Sequence, residues 1–528
     1  VTEAATDHPL FSIVTPVYDP ALDVLQDTID SVSQQTWTGW ELILVDDASP
    51  NEAVRELLRR AAALDHRVRV IERPTNGHIV AASNDGIAAA RGEFIALLDH
   101  DDQLTPRALA AMAAAIDDHP DADYLYSDED KLADDGTFYD TFAKPDWSPE
   151  RLRGQMYTGH LSVLRTSLVR EVGGFHHGFD GSQDHDLVLR VTERARSIVH
   201  VPEVLYHWRA VTGSTAHQPE AKPYTWEAGV RAVQAHCDRV GIDATVEFGR
   251  WTGTYRLRRR LDPAHRVSVI IPTRGSEAIV WGERRSMVVE AVRSLFTHAG
   301  HDNLELVVVH DDDTPESVLD ELFRLAHDRL RLVRYSKPFN FSEKCNLGGL
   351  AATGDILLFL NDDIEITSDD FVPTLCGPLV EPDVGITGAK LYFADTTIQH
   401  AGLALHGGHY RHAYRSHPGA APGPFTALVV NRECAGLTAA CVALKRSVFE
   451  DVGGFSEQLH NNFNDVDLSL KIGRIGRRLV WVHDAEAFHF ESQTREAVVS
   501  ADEVQFMRSR WGVLPRDPYL NRSTRSPS

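Results

Sequence analysis

Acidic clusters recur in the two halves of this chain. Asp99, Asp101 and Asp102 follow an apolar run from Phe94 to Leu98, and Asn361, Asp362 and Asp363 follow another from Ile356 to Leu360. Each cluster stands fifteen residues behind an Asn-x-Gly, from Asn84 to Asp99 and from Asn346 to Asn361. Gly92 and Gly354 fall eight residues after the same asparagines. Like charges crowded at the tip of a buried strand are costly without a cation. Carboxylates there suit a divalent metal that holds a diphosphate. In the second copy Asn361 replaces Asp99, so Asp363, aligned with Asp101, is the firmer ligand.

Asp46-Asp47 and Asp311-Asp312 end the second strand of each half, where ligands of open α/β sheets bind. A carboxylate there can accept a hydrogen bond from a base N–H or a ribose hydroxyl; a solvated turn needs nothing more. Without a gap His310, not Asp311, aligns with Asp46. Asp184 and Asp465 each open a helical pattern after a Gly-Gly-Phe (173–175 and 453–455). Either is an N-cap or, beside a metal site, a proton acceptor in a cleft. His207 and His489 follow those aspartates by 23 and 24 residues and read as third metal ligands; a lone His on an apolar strand is otherwise core. His406, His409, His412 and His417 offer metal-binding side chains, but a mobile loop over 406–424 explains them better. Neither Gly-x-Gly-x-x-Gly after the first strand nor a Gly-Lys-Ser/Thr loop is present.

The elements that must position these residues alternate. Phe11 to Val17, Glu41 to Val45, Val68 to Ile71 and Phe94 to Leu98 read as strands. Helices fall between them, one starting at Asp19-Pro20 with Leu22, Leu25, Ile29 and Val32 on one face, others over 51–64 and 79–90. The pattern restarts at Val267 to Pro272. Such alternation implies a mostly parallel sheet, and its repetition implies duplication. The boundary is expected in the Arg-rich segment 258–266, giving domains 1–258 and 259–528, with a poorly ordered tail from Arg516.

The 528 residues suit two α/β units of about 250 residues each. A net charge of −24 disfavours nucleic acid as a partner. Five cysteines, an odd number without a Cys-x-x-Cys pair, fit a reduced, cytosolic protein. No stretch approaches the ~20 apolar residues of a membrane span, and the N-terminus has no signal-peptide apolar run. Any membrane contact is therefore expected to be peripheral, at the inner face.

Several runs together resemble family 2 glycosyltransferases of the GT-A fold. They are Thr15-Pro16-Val17-Tyr18, the segment Trp40 to Ser49, Asn84-x-Gly86, Asp99-His100-Asp101-Asp102 and Gln183 to Leu187. The second half is similar, through Val269 to Thr273, Phe339 to Ser342, Asn361-Asp362-Asp363, Ile398 to Gly402 and Phe463 to Asp467. It looks most like bacterial rhamnosyltransferase-like enzymes of cell-surface polysaccharide synthesis. The resemblance implies two Rossmann-like GT-A domains in tandem and inverting transfer from a nucleotide-diphospho-sugar to a glycan or lipid-linked glycan. It implies nucleotide-sugar contacts for Asp46, Asp47, Asp99, Asp311, Asp312 and Asp362. Mn²⁺ or Mg²⁺ would be held by Asp101, Asp102 and His207 in one half and by Asp363 and His489 in the other. Asp184 and Asp465 would be the bases. Three readings follow: a bifunctional transferase; one catalytic half beside a glycan-binding or scaffolding module; and a non-enzymatic carbohydrate-binding protein.

Overall fold

The computed structural model describes residues 8–210, 223–406, 409–490, 499–514 and 516–519. The strand Phe11–Val17 is buried at every position but Pro16, as an apolar run covered on both faces must be. It pairs in parallel with Trp40–Asp46 on one side and Phe94–Leu97 on the other, and Trp40–Asp46 pairs in parallel with Val68–Glu72. Helices Leu22–Ser33, Glu52–Leu64 and His78–Ala89 connect these strands, burying Leu25, Ile29 and Val32 from the first and Val54, Leu57 and Leu58 from the second. The first helix starts later than Asp19-Pro20 suggests: Ala21 is its N-cap, and Asp19 takes a left-handed φ of 47° while its N–H donates to Ser49 Oγ.

Beyond Phe94–Leu97 the sheet becomes mixed. Ser162–Arg165 joins antiparallel, Ala122–Leu132 pairs antiparallel with it, and Ser197–Arg209 runs parallel to Ala122–Leu132. The short Gln103–Leu104, just after the acidic cluster, closes the edge. The second half repeats this order strand for strand: Leu330–Tyr335, Leu304–Asp311, Val267–Thr273, Ile356–Leu360, Cys441–Lys445, Val384–Tyr392, Arg478–His489 and Ile364–Ile366. Each sheet carries an apolar cluster on either face. The architecture is mixed α/β, two sheet units in tandem.

The repeated Asn-x-Gly is part of this scaffold. Asn84 clasps the Gly-Gly-Phe turn through Phe175 O and Phe175 N, both at 2.9 Å, and Asn346 does the same at Phe455, at 3.0 and 2.8 Å. Gly86 and Gly348 let their helices close on the central strand. A Cβ on Gly86 would lie 2.5 Å from Val14 Cγ1, and one on Gly348 2.4 Å from Ile270 Cγ2. These residues therefore join the helix before each acidic cluster to the loop before each helix-start aspartate.

The halves meet through buried charge. Glu150 accepts from Arg259 at 2.8 and 2.7 Å; Arg259 and Arg153 also donate to Glu381, each at 2.8 Å. Arg478 reaches Glu433 at 2.6 Å and Glu381 at 2.9 Å. Ser148 donates its hydroxyl to Glu433, and Phe142 stacks on Phe425 with centroids 3.9 Å apart.

Two segments read from the sequence as loop and tail carry defined structure in part. The loop expected to be mobile contains a hairpin, Leu403–His406 with His409–His412, followed by turns held by Ala413 N to Gly402 O and Ser416 N to Ile398 O; residues 407 and 408 lie outside the described residues. The tail docks at 516–519, where Asp517 accepts from Leu405 N at 2.7 Å and Pro518 O accepts from Asp146 N at 2.8 Å. Residues 520–528 lie outside the described residues. All five cysteines are buried thiols. Among the described residues no helix is long and apolar enough to cross a membrane.

Candidate functional site

In the first half the acidic cluster leaves the strand Phe94–Leu97 and turns into Gln103–Leu104. Asp102 is buried, taking a hydrogen bond from the Tyr206 hydroxyl at 2.5 Å and one from Arg209 N at 2.7 Å. Burial, then the charges of Asp99 and Asp101, pushes its carboxyl well above the usual range. Asp101 is raised too, by burial, with Asp99 adding to it against the opposing charge of His100. Ligand atoms of Asp99, Asp102 and His160 all lie within 4.8 Å of one another. That set of two carboxylates and an imidazole fits a divalent cation.

His160 carries no signal in the sequence. It precedes Ser162–Arg165, and strand register places Ala440 at the matching position of the second half. His207 is elsewhere: its Nδ1 lies 2.5 Å from Asp130 Oδ1 and its ring stacks on Phe138 at 4.0 Å. The matched spacing of His207 and His489 does not survive in register. His207 stands opposite Gln103 and Asp130, whereas His489 stands opposite Ile364, one place nearer its acidic cluster. Phe488, paired with Tyr392, occupies the place of His207, and Trp208 that of His489. A shift of one residue along a strand turns a side chain to the other face, which is why the two histidines have different partners.

Asp184 is the second residue of the helix Gln183–Thr192, behind the N-cap Ser182, and Asp465 is the second residue of Asn464–Arg474, behind Phe463. Neither occupies the N-cap position. Burial, then the charge of Asp99, raises Asp184 to about 6, with His160 opposing. Asp465 is raised by burial, against hydrogen bonds from Val466 N, the Thr438 side chain and Ala439 N. A carboxylate raised in this way is a better proton acceptor once ionised.

In the second half a cavity of about 630 Å³ gathers Thr273, Lys344, Asn361, Asp362, Asp363, Asp465 and His489. Asp362 accepts from Thr273 Oγ1 at 2.6 Å and is raised to about 6 by burial and then by Asp363. Asp363 Oδ1 lies 3.1 Å from His489 Nε2. Burial pushes Asp363 up, and the charge and contact of His489 together with the Asp363 backbone N–H outweigh it, leaving the carboxyl below its usual range. The Gln399 Oε1 atom sits 2.7 Å from His489 Nδ1, orienting the ring. Among the described residues, the buried Asn361 Oδ1 and Asp363 Oδ1 have no hydrogen-bond partner. Two orphaned oxygens beside an oriented imidazole also fit a divalent cation, with one carboxylate fewer than in the first half.

At the strand tips the halves differ further. Val17 pairs with Asp46 and Thr273 with His310, so His310 occupies the place of Asp46, Asp311 that of Asp47, and Asp312 falls one residue beyond. Asp46 is buried, with Oδ2 unpaired among the described residues, and Asp47 accepts from Gly77 N at 2.9 Å and from the Arg73 guanidinium. Asp311 accepts from the buried Lys344 ammonium at 2.7 Å, and Lys344 also donates to Thr273 O at 2.7 Å. Asp312 points outward to Arg334 and Ser336.

Residues 12–173 and 268–453 each match the model described as Glycosyl transferase family 2. The chain is 40% identical over 517 residues to "Uncharacterized protein y4gI" of Sinorhizobium fredii, a match spanning 95% of this chain and 56% of that protein. It is 35% identical over 520 residues to "O-antigen biosynthesis protein RfbC" of Myxococcus xanthus, spanning 97% of this chain and 40% of that protein. The chain thus spans about half the length of these curated relatives. Among solved structures, S. aureus TarS 1–349 in complex with UDP-GlcNAc is similar at 21% identity and a TM-score of 0.35, over 43% of this chain and 66% of that one.

Proposed function

The chain belongs to glycosyl transferase family 2, and from that premise we propose that it moves sugars from nucleotide-diphospho-sugars to hydroxyls of a growing bacterial surface glycan, with a working donor site in each half. The observation that carries this reading is a duplicated pairing. Each half sets a helix-start carboxylate of raised pKa beside a strand-end acidic cluster, Asp184 with Asp99 and Asp465 with Asp362 and Asp363. The name of the O-antigen relative supports a polysaccharide product.

Asp184 and Asp465 accept the proton of the acceptor hydroxyl as its oxygen bonds the anomeric carbon and the bond from that carbon to the diphosphate oxygen breaks. A single base facing the leaving group gives inversion, and such proton transfer typically contributes ~10²–10⁴-fold. Asp99, Asp102 and His160, with Asp101 beside them, would hold a divalent cation in the first half, and Asn361, Asp363 and His489 would do so in the second. When bound, Mn²⁺ or Mg²⁺ neutralises charge on the departing diphosphate. Asp46 and Asp47, and Asp311 with Lys344, form the nucleoside ends. The acceptor is a glycan or lipid-linked glycan met at the cytoplasmic face of the membrane, and the net charge of −24 argues against nucleic acid.

One observation favours a second reading, in which the second half binds glycan without catalysis. Asn361 and Ile364 stand where the first half has Asp99 and Asp102. Replacing Asp184 and Asp465 separately by Asn decides between them. With two working sites each variant loses one transfer by at least ~10²-fold. If Asp465→Asn leaves every transfer at the wild-type rate, the second half is the binding module.

A further inference from the structure

We propose that His412 reads a hydroxyl of the donor sugar in the second half, as a neutral hydrogen-bond donor whose tautomer is fixed by His400. The inference rests on the transferase reading and specifies how one of its two sites selects a sugar. His412 lines the 630 Å³ cavity together with Leu403 and Tyr410. All three sit on the hairpin Leu403–His406/His409–His412, which is additional to the shared fold. In the first half Phe138–Phe142 folds back on Ala122–Leu132, as Ile398–His400 does on Val384–Tyr392, and among the described residues the extra hairpin follows in the second half alone.

The proton positions follow from the partners. Thr438 N lies 3.4 Å from His400 Nε2, and a backbone N–H can only donate, so Nε2 accepts. His400 is buried, and burial, then His412, Arg432 and His489, keeps its ring uncharged. A neutral imidazole carries one N–H, here on Nδ1, which faces His412 Nδ1 at 2.9 Å. His412 Nδ1 therefore accepts. Burial, then Arg415 and His489, holds His412 down to about 4, so it too is neutral and carries its proton on Nε2. What His412 offers the cavity is an N–H that donates and cannot accept, suited to a hydroxyl oxygen.

The location selects the sugar. Thr438, the partner of His400, also hydrogen-bonds Asp465, and the charge of His489 reaches His412. His412 thus shares the cavity with Asp465 and His489 and is linked to the base through His400 and Thr438. A donor sugar whose diphosphate meets Asp363 and His489 and whose anomeric carbon faces Asp465 comes within that part of the cavity.

The test is calorimetric titration of the full chain with Mn²⁺, using UDP, dTDP, UDP-glucose, UDP-galactose, UDP-N-acetylglucosamine and dTDP-glucose. Wild type, His412→Phe, His412→Gln and His400→Phe are compared. The expected result is unchanged affinity for the free diphosphates. The preferred sugar nucleotide weakens about 3- to 10-fold at one equivalent in His412→Phe, the span of one neutral hydrogen bond, with partial recovery in His412→Gln and an intermediate loss in His400→Phe. Equal weakening of diphosphate and sugar nucleotide in both His412 variants, or no weakening in either, overturns the proposal and leaves the transferase reading standing. Wild-type protein that binds neither any of the six nor GDP removes that reading and this proposal with it.

Discussion

Glu503 should hold the second base in place from outside the cavity. It lies on the helix Ala501–Trp511 and is 4% exposed. Its Oε1 accepts from Asn461 N and Asn462 N, both at 2.9 Å, and Oε2 from Asn462 Nδ2 at 3.0 Å. Burial opposes the charge, but the Asn462 side chain and the N–H groups of Asn462, Asn461 and Ser500 outweigh it and bring the carboxyl from 4.5 to about 2. At ~1.4 kcal/mol per pH unit that favours the bound anion by ~3 kcal/mol. The folded value lies below the unfolded one, so this stabilisation is complete above about pH 4.5 and is lost as pH falls towards 2. Glu503→Gln removes the charge and turns an NH₂ group towards other donors. It should release ~1.5–3 kcal/mol, opening the loop before Asp465 about 10- to 100-fold more often. Hydrogen exchange at the Asn461 and Asn462 amides at pH 7 measures this directly. Transfer by the second half should fall with it and that of the first half should not. Unchanged protection at both amides refutes the reasoning.

The pH dependence of the first half follows from Asp184, raised to about 6. The base must be ionised, and a cation on Asp99 lowers its pKa, so kcat/KM measured in the Asp465→Asn variant should fall about tenfold per pH unit below a midpoint at or under about 6 but above the ordinary carboxylate value, because burial remains; a profile flat down to about pH 4 contradicts this. Glu150→Ala strips the buried Arg259 of its bidentate partner. Breaking such a pair costs ~3–5 kcal/mol, read as a lower denaturation midpoint, and a midpoint equal to wild type would contradict the role assigned to that network.

The strand and helix order over Phe11 to Leu98 was legible because apolar runs and helical spacing alternate there, whereas the later strands Ala122–Leu132, Ser162–Arg165 and Ser197–Arg209, which make the sheet mixed, were not. The two acidic clusters were legible because the duplication kept their distance from Asn84 and Asn346. The asparagines themselves bind backbone rather than substrate, a role that spacing cannot distinguish from chemistry. His160 was invisible, since its neighbours reach the cluster by folding and its counterpart is Ala440. His207 lies 23 residues after Asp184 and His489 24 after Asp465, and that single residue puts Trp208 rather than His207 in register with His489 and turns the side chain to the other face. Asp312 falls just past the strand Leu304–Asp311, because His310 takes the place of Asp46 as the ungapped alignment already offered. The hairpin carrying His412 read as a loop because Gly, Pro and His dominate its surroundings, while its order comes from contacts with Gly402, Ile398 and Gly436.

Two donor sites in one chain is the central claim, and calorimetric titration of UDP, dTDP and GDP into the protein with Mn²⁺ tests it most directly. Two equivalents of nucleotide bound, one lost in Asp363→Ala and the other in Asp99→Ala, is the predicted result. A single equivalent that survives either replacement unchanged would contradict it.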